Sequence, residues 1–213
     1  MEETLTIPAG SVQLEALLAV PDGAAGVVVF AHGSGSDRYS RRNRFVAESL
    51  REAGLGTLLF DLLTLEEADD RDKVFDVGLL AERLAAATNW LQDRPGPEND
   101  WIGYFGASTG AAAALRAATA PGVKVRALVS RGGRPDLAAE DLSNVRTPTL
   151  LIVGERDDPV LDLNYDAQRH LGGPNRLVIV PGATHLFEER GALESVAELS
   201  RDWFNEYLGG VTP

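Results

Sequence analysis

The sequence has no cysteine, and this absence excludes disulfide bonds, thiolate nucleophiles and sulfur-ligated zinc sites. Histidine is almost as scarce, with three residues in a chain of 213. Chemistry that needs an imidazole base must therefore use His32, His170 or His185. This scarcity reduces the search for a catalytic base to three positions.

Basic residues and long apolar runs are also in short supply. The chain has 20 Lys and Arg against 32 Asp and Glu, and the resulting net charge of -12 disfavours binding to nucleic acid or to an anionic membrane. No apolar run approaches the length of a membrane span, and the acidic start, MEETLTIPAG, lacks the basic and then apolar pattern of a signal peptide. We therefore expect a soluble cytoplasmic protein that binds neither nucleic acid nor membranes.

The rest of the composition is that of an ordinary globular protein, with 44% hydrophobic and 24% charged residues. No internal repeat, low-complexity tract or linker interrupts it. Residues 1–213 are therefore predicted to form a single domain with a substantial core.

Short β-branched apolar segments alternate with amphipathic segments along most of the chain. Residues 4–7 and 12–20, joined through 8–10, predict an N-terminal hairpin. Buried strands are predicted at 26–33, 56–62, 101–106, 123–130, 147–154 and 176–182, and helices at 42–53, 74–92, 109–119, 160–171 and 189–208. This alternation indicates an α/β fold with a mostly parallel sheet of about seven to eight strands and helices on both faces.

Ligands of such sheets bind beyond the carboxyl ends of the strands. Polar residues found at these predicted ends are His32, Ser34, Asp61, Ser108, Arg131, Asp157 and His185. We expect this edge of the sheet to carry the functional site.

The segment GASTG, at 106–110, holds a serine between two glycines where a predicted strand meets a predicted helix. The pattern alone is weak, but a strand, a tight turn and a helix are the context that a nucleophile elbow requires. A serine hydroxyl is a weak nucleophile and needs a base, together with a group that orients the base. Ser108 is therefore a candidate nucleophile, and a plain connecting turn is the alternative.

Among the histidines, His185 is the candidate base, because PGATHLF directly follows the last predicted strand. His32 ends a strand within FAHGSG and is interpreted as structural. His170 lies in the last turn of a predicted helix, where the helix dipole favours a cation, and is interpreted as a surface residue. The alternative for His185 is a histidine that only packs its loop.

The acid that orients the base should follow a strand between the serine and the histidine, as GERDDPV at 154–160 does. Asp158 precedes Pro159, and this pair suits the start of a helix with Asp158 as its N-cap. Asp157 is then left to accept a hydrogen bond from the histidine. Asp158 remains the alternative acid.

With these residues the sequence resembles the α/β-hydrolase family, in particular its dienelactone-hydrolase-like branch. The order Ser108, Asp157, His185 matches the family order of nucleophile, acid and base. The resemblance covers nearly the whole chain. Dienelactone hydrolases proper use a cysteine where this chain has Ser108, so the resemblance implies the fold and the triad and leaves the substrate open.

The resemblance also implies an oxyanion hole made by the backbone N–H groups of Thr109 and of Ser34 in HGSG. A glycine-rich turn without a catalytic task is the alternative for HGSG. The implied reaction is hydrolysis of a small-molecule ester or lactone through an acyl-enzyme, without metal or organic cofactor. Alternatives are the same triad acting as a thioesterase, acyltransferase or perhydrolase, and a non-catalytic binding protein with this fold.

The surroundings of the site can be predicted in part. The segment 131–147 is too short for a helical cap domain, so we expect an open site. Arg131, Arg41 and Tyr39 are candidate substrate-binding residues, since an arginine can bind a substrate carboxylate by paired hydrogen bonds. Ordinary salt bridges are the alternative for these arginines. The acid-rich segment 62–73 lacks the spacing of a calcium loop and is interpreted as a solvated charge run.

Overall fold

The computed structural model describes residues 2–96 and 101–209. The strands are β1 (Glu2–Ala9), β2 (Val12–Ala19), β3 (Val27–Ala31), β4 (Gly56–Phe60), β5 (Ile102–Ala107), β6 (Ala127–Arg131), β7 (Thr149–Gly154) and β8 (Asn175–Val180). The helices are α1 (Arg41–Glu52), α2 (Leu65–Ala68), α3 (Arg71–Val74), α4 (Val77–Gln92), α5 (Thr109–Ala117), α6 (Asp158–His170) and α7 (Ala192–Leu208).

The eight strands form one sheet in the order β1-β2-β4-β3-β5-β6-β7-β8. The hairpin strand β2 pairs with β4 in antiparallel register, and the strands from β4 to β8 pair in parallel. The predicted fold class, a mostly parallel sheet with an N-terminal hairpin and helices on both faces, is confirmed. Because the parallel strands share one direction, their carboxyl ends meet at one edge of the sheet.

Two hydrophobic clusters lie on opposite faces of this sheet, which explains why β3 to β7 are buried along their whole length. One cluster contains Leu84 of α4 and Leu115 of α5. The other contains Leu50 of α1 and Phe204 of α7. Helices therefore cover both faces of the sheet, and a functional site is expected in the loops at its edge.

Several boundaries differ from the predicted ones. Strand β1 continues through Pro8 and Ala9, and the hairpin turns at 10–11. Proline is tolerated there because β1 is an edge strand. The predicted strand 123–130 begins only at Ala127, because the neighbouring β5 begins at Ile102 and pairs Gly103 with Ala127.

The connections above the sheet edge are short. Between β6 and β7 the described residues form two 3₁₀ turns, Pro135–Ala138 and Leu142–Asn144, and no cap domain. Within the acid-rich segment after β4, the helices α2 and α3 are four residues each. Of the helices in the described ranges, none combines the length and the apolar character needed to cross a membrane.

Candidate active site

Ser108 occupies the turn between β5 and α5, with φ 52° and ψ -119°. A non-glycine residue with positive φ is strained, by on the order of 1–3 kcal/mol, and such strain clusters at functional sites. The turn lifts the Ser108 side chain above the end of the sheet, at the first turn of α5. The local backbone is therefore that of a nucleophile elbow.

The two glycines around Ser108 are required by close packing. A Cβ at position 106 would lie 2.4 Å from the Cα of Ala111, and a Cβ at position 110 would lie 2.2 Å from the carbonyl oxygen of Ala31. Any side chain at either position would push α5 away from β5 or β3. The spacing of GASTG is thus explained by the contacts of the helix with the sheet.

The loops that follow β5, β7 and β8 bring the three predicted residues into one hydrogen-bonded chain. The imidazole Nε2 of His185 lies 3.3 Å from Ser108 Oγ, and its Nδ1 lies 2.6 Å from Asp157 Oδ2. With the proton on Nδ1, His185 donates to Asp157 and accepts from the hydroxyl of Ser108. Asp157 is buried, at 9% exposure, so its carboxylate is shielded from water.

The predicted N-cap role of Asp158 is wrong, because Asp158 as N-cap would make residue 159 the first of the helix, whereas α6 begins at Asp158. Asp158 is the first helical residue and is exposed, while Asp157 stands at the N-cap position. The Asp157 side chain makes no capping hydrogen bond. Its carboxylate is therefore free to hold His185.

The other two histidines have local partners of their own. The Nδ1–H of His32 donates to the carbonyl oxygen of Gly33 at 3.0 Å, and its Nε2 accepts from the backbone N–H of Leu62 at 3.0 Å. Burial lowers the pKa of His32, which favours the neutral ring that these two bonds need. His170 is exposed and contacts Asp166 within α6. Both arrangements agree with the structural and surface roles predicted for them.

The two backbone groups predicted for the oxyanion hole lie next to each other. The N–H of Thr109 is the first of α5, where helical N–H groups have no acceptor within the helix. The N–H of Ser34 donates to the hydroxyl Oγ1 of Thr109 at 2.9 Å. The role of the Thr109 hydroxyl as the acceptor of the Ser34 N–H was not anticipated.

Two cavities open beside this group of residues. The first, here called the arginine cavity, has a volume of about 200 Å³. It is lined by Gly33, Ser34, Ser36, Ser40, Arg42, Asn43, Ala107, Ser108, Arg131, His185 and Leu186. The second, here called the leucine cavity, has a volume of about 250 Å³. Its apolar side chains are Leu62, Leu63, Leu65, Ala68, Val74 and Leu80, and Ser34 and Thr109 also line it.

Arg131, the last residue of β6, is a buried cation in the wall of the arginine cavity. It is 7% exposed, its guanidinium lies 5.7 Å from the ring centre of Phe187, and its Nε has no hydrogen-bond partner in the described part of the chain. Burial, and secondly the positive charge of Arg42, lower the pKa of Arg131 to about 10. Arg42 is paired with Glu188 at 3.0 Å. The cavity thus combines the candidate nucleophile with a buried guanidinium that no carboxylate of the described residues neutralises.

The other two candidate substrate-binding residues lie elsewhere. Arg41 is exposed at the start of α1, and Tyr39 is 49% exposed with the guanidinium of Arg38 lying 4.5 Å from its ring centre. Neither is among the residues that line the two cavities. Arg42, one residue further along α1, lines the arginine cavity, whereas Arg41, the predicted substrate-binding residue, does not.

The model of the dienelactone hydrolase family matches residues 14–208, a span that includes both cavities and the Ser108 elbow. The chain belongs to the dienelactone hydrolase family. It is therefore an α/β hydrolase, as the sequence predicted.

Individual relatives agree with this membership. A crystal structure of a dienelactone hydrolase from Anabaena variabilis is 55% identical, with a TM-score of 0.93, and the match covers 97% of this chain and 98% of that one. A Pyrococcus furiosus esterase is 18% identical with a TM-score of 0.78, covers 98% of this chain and 92% of its own, and shares the fold.

A Mycobacterium tuberculosis protein, named provisionally as a phosphoribosyl transferase, is 57% identical over 212 residues. The match covers all of this chain and 48% of that protein. The chain thus spans about half the length of this relative. Because half of the relative lies outside the match, its name gives no substrate for this chain.

Proposed function

We propose that the protein is a serine hydrolase that cleaves a small carboxylic ester or lactone through an acyl-enzyme on Ser108. The observation that carries the proposal is the hydrogen-bonded chain from Ser108 through His185 to Asp157, with distances of 3.3 and 2.6 Å. Nucleophile, base and orienting acid are the three groups that acyl transfer to a serine requires.

In the proposed mechanism, His185 takes the proton of Ser108 while Oγ attacks the substrate carbonyl carbon. Asp157 holds the imidazole in the required tautomer and stabilises the imidazolium that forms. The imidazolium then gives its proton to the leaving alkoxy oxygen, and the acyl group stays on Ser108. A water activated by the same histidine hydrolyses the acyl-enzyme. No metal or organic cofactor takes part in any of these steps.

The oxyanion of the tetrahedral intermediate is assigned to the backbone N–H groups of Thr109 and Ser34. The Ser34 N–H donates to the Thr109 hydroxyl at 2.9 Å. In the mechanism, the Thr109 side chain rotates and the oxyanion replaces its hydroxyl as the acceptor. Each such donor typically contributes on the order of 10²–10³ in rate.

A fluorophosphonate probe tests the proposal, because it reacts with a serine only when base and oxyanion donors are in place. We expect the intact protein to be labelled at one site per chain, and peptide mass spectrometry to locate the label on Ser108. Heat-denatured protein is the control and should remain unlabelled. Absence of labelling at any pH between 6 and 9 would contradict the proposal and favour a non-catalytic binding protein.

We also propose that Arg131, assisted by Arg42, binds an anionic group of the substrate. Both guanidinium groups line the cavity that contains Ser108 and His185, and the one of Arg131 is buried. An unpaired buried cation is unfavourable, so an incoming carboxylate gains a strong charge-assisted hydrogen bond.

Replacing Arg131 by methionine should raise KM for an anionic ester by about ten- to a hundredfold, the loss expected for one hydrogen bond to a charged group. The substrates are 4-acetoxybenzoate and its neutral analogue 4-acetoxybenzamide, and we expect KM for the neutral ester to stay within about threefold. Arg134→Met is the matched control, because the guanidinium of Arg134 is already paired with Asp136 at 2.7 Å. An equal change of KM for both esters in Arg131→Met would disprove anion binding by this residue.

A further inference from the structure

The leucine cavity and the arginine cavity meet at the loop after β3, since Gly33, Ser34 and Ser36 line both. In the proposed reaction the carbonyl oxygen of the substrate lies against the Ser34 N–H, so the carbonyl carbon lies at this junction. An ester carbonyl carbon carries an acyl chain and an alkoxy group, which leave it in different directions. Each cavity can therefore receive one of the two groups.

The position of His185 decides which group enters which cavity. A general acid must lie within hydrogen-bonding reach of the leaving oxygen to protonate it. His185 lines the arginine cavity and is not among the residues that line the leucine cavity. The alkoxy group therefore belongs in the arginine cavity, and the acyl chain belongs in the leucine cavity.

The side chains of the leucine cavity suit an uncharged acyl chain. Leu62, Leu63 and Leu80 are buried around it, Val74 of the short helix α3 is half-buried at its wall, and Ala68 of α2 lines it from an exposed position. Apolar surface that enters such a cavity is removed from water, which favours binding in proportion to the area buried.

Several polar groups around the leucine cavity already have partners in the protein. Both ring nitrogens of His32 are hydrogen-bonded, and Thr64 Oγ1 accepts from the backbone N–H of Glu67 at 3.2 Å. The carboxylate of Asp61 is paired with Arg38. An anionic acyl group would therefore lie near the carboxylates of Asp37 and Asp61 and find no cation among the residues that line the cavity, so an uncharged acyl group is favoured over an anionic one.

The volume of the leucine cavity limits the length of the acyl chain. An apolar cavity of about 150 Å³ is large enough for benzene. At about 250 Å³, the leucine cavity has room for a phenyl ring with a short linker or for a medium-length alkyl chain. A long-chain fatty acyl group exceeds this volume and would have to extend past Ala68 and Val74 into a neighbouring cavity that the same two residues line.

We propose that the leucine cavity is the acyl-binding subsite, and that the enzyme selects esters of uncharged apolar acids of the size of hexanoic or phenylacetic acid. This assignment rests on the ester hydrolysis proposed above. It gives Ala68 and Val74, which no part of the proposed mechanism uses, a role in determining specificity.

A series of p-nitrophenyl esters tests the assignment, because the alcohol is constant and only the acyl group changes. For the unmodified protein, kcat/KM should rise by about fourfold for each methylene from acetate to hexanoate, the equivalent of burying one methylene. It should then fall for dodecanoate. The phenylacetate ester should be hydrolysed about as well as the hexanoate ester.

Ala68→Phe fills the cavity from its wall and should remove this dependence on chain length. We expect kcat/KM for the hexanoate ester to fall by on the order of 10², the product of four methylene contributions, while that for acetate stays within about threefold. Val74→Phe is a second variant with the same expected result, should Ala68→Phe not fold. Ala139→Phe is the matched control, since Ala139 is exposed and outside both cavities.

The outcomes separate this inference from the proposed function. An unchanged ratio of hexanoate to acetate in both folded cavity variants would overturn the assignment while leaving the esterase intact. A change of that ratio in Leu186→Trp instead, at the wall of the arginine cavity, would reverse the two cavities and likewise overturn it. If no p-nitrophenyl ester is hydrolysed and the fluorophosphonate does not label Ser108, both proposals fall.

Discussion

Hydrolysis of p-nitrophenyl esters by Ser108→Ala should be slower than that of the unmodified protein by about 10⁶-fold in kcat, the loss typical of removing a triad serine. The variant keeps the positive φ at position 108 and the packing of both neighbouring glycines, so the elbow itself should survive. Only the Oγ atom that accepts the acyl group is lost. The measurement is initial rates at protein concentrations determined by absorbance, together with a thermal unfolding curve.

Two results would count against this expectation. Turnover within tenfold of the unmodified protein would show that Ser108 is not the nucleophile, and so would burst kinetics that persist in the variant. Ser195→Ala is the matched control, because Ser195 lies in α7 and its hydroxyl donates to the backbone carbonyl of Gly191. We expect this control to keep its activity within about twofold, as is usual for surface substitutions remote from a site.

Strain and close packing at the elbow connect the fold with the proposed chemistry. Ser108 has a backbone conformation that glycine would adopt more easily, yet the chain has a serine there. Gly106 and Gly110 are needed so that α5 can approach β5 and β3. Ser108 thus has an unfavourable backbone conformation where a side chain above the sheet is required, which is typical of a functional residue.

The sequence predicted that Ser108, Asp157 and His185 lie close together, because each lies within three residues of the end of a predicted strand. In a parallel sheet, chain order and strand direction are enough to bring such positions to one edge. Boundary errors of one to four residues did not matter, since they left Ser108, Asp157 and His185 in the same loops. The hydrogen bonds themselves depend on loop conformations that periodicity does not encode.

Arg41 and Arg42 could not be distinguished from the sequence, because they are neighbours at the start of α1 and the pattern does not fix which of them faces the cavity. In the helix Val46 and Leu50 are buried, whereas Phe45 is 41% exposed. Arg41 lies one turn before Phe45, and Arg42 lies one turn before the buried Val46. A shift of one position therefore exchanges the exposed arginine for the one that lines the cavity.

The leucine cavity was missed for a different reason. The segment 62–73 was interpreted as a solvated charge run, and its acids Glu66, Asp69 and Asp70 are indeed exposed. Leu62 and Leu63, which precede these acids, are nonetheless buried at the leucine cavity, and the apolar residues between the acids line it from exposed positions when the segment folds into two short helices. The density of charged residues in the sequence does not show which apolar residues of the segment line a cavity. The bond from Ser34 to Thr109 was missed because only the backbone N–H groups of these residues, and not the Thr109 hydroxyl, were assigned to the site.

Asp157→Asn should lower kcat by about 10⁴-fold and leave KM nearly unchanged, because the amide no longer stabilises the imidazolium and favours the wrong tautomer of His185. The substitution changes the 2.6 Å hydrogen bond between His185 Nδ1 and Asp157. Because Asp157 is buried, water does not readily replace its carboxylate. The measurement is kcat and KM for the hexanoate ester in the variant and in the unmodified protein.

Asp158→Asn is a matched control that differs by one position. Asp158 is the exposed first residue of α6, directly after Asp157, and its carboxylate is not bonded to the imidazole. It should keep kcat within about threefold and lose at most a few tenths of a kcal/mol of helix stability, through its place in the first turn of α6. If Asp158→Asn were the inactive variant and Asp157→Asn the active one, the acid would have been assigned to the wrong neighbour. Equal activity in both would show that His185 needs no carboxylate, and a catalytic triad would then be the wrong description of this site.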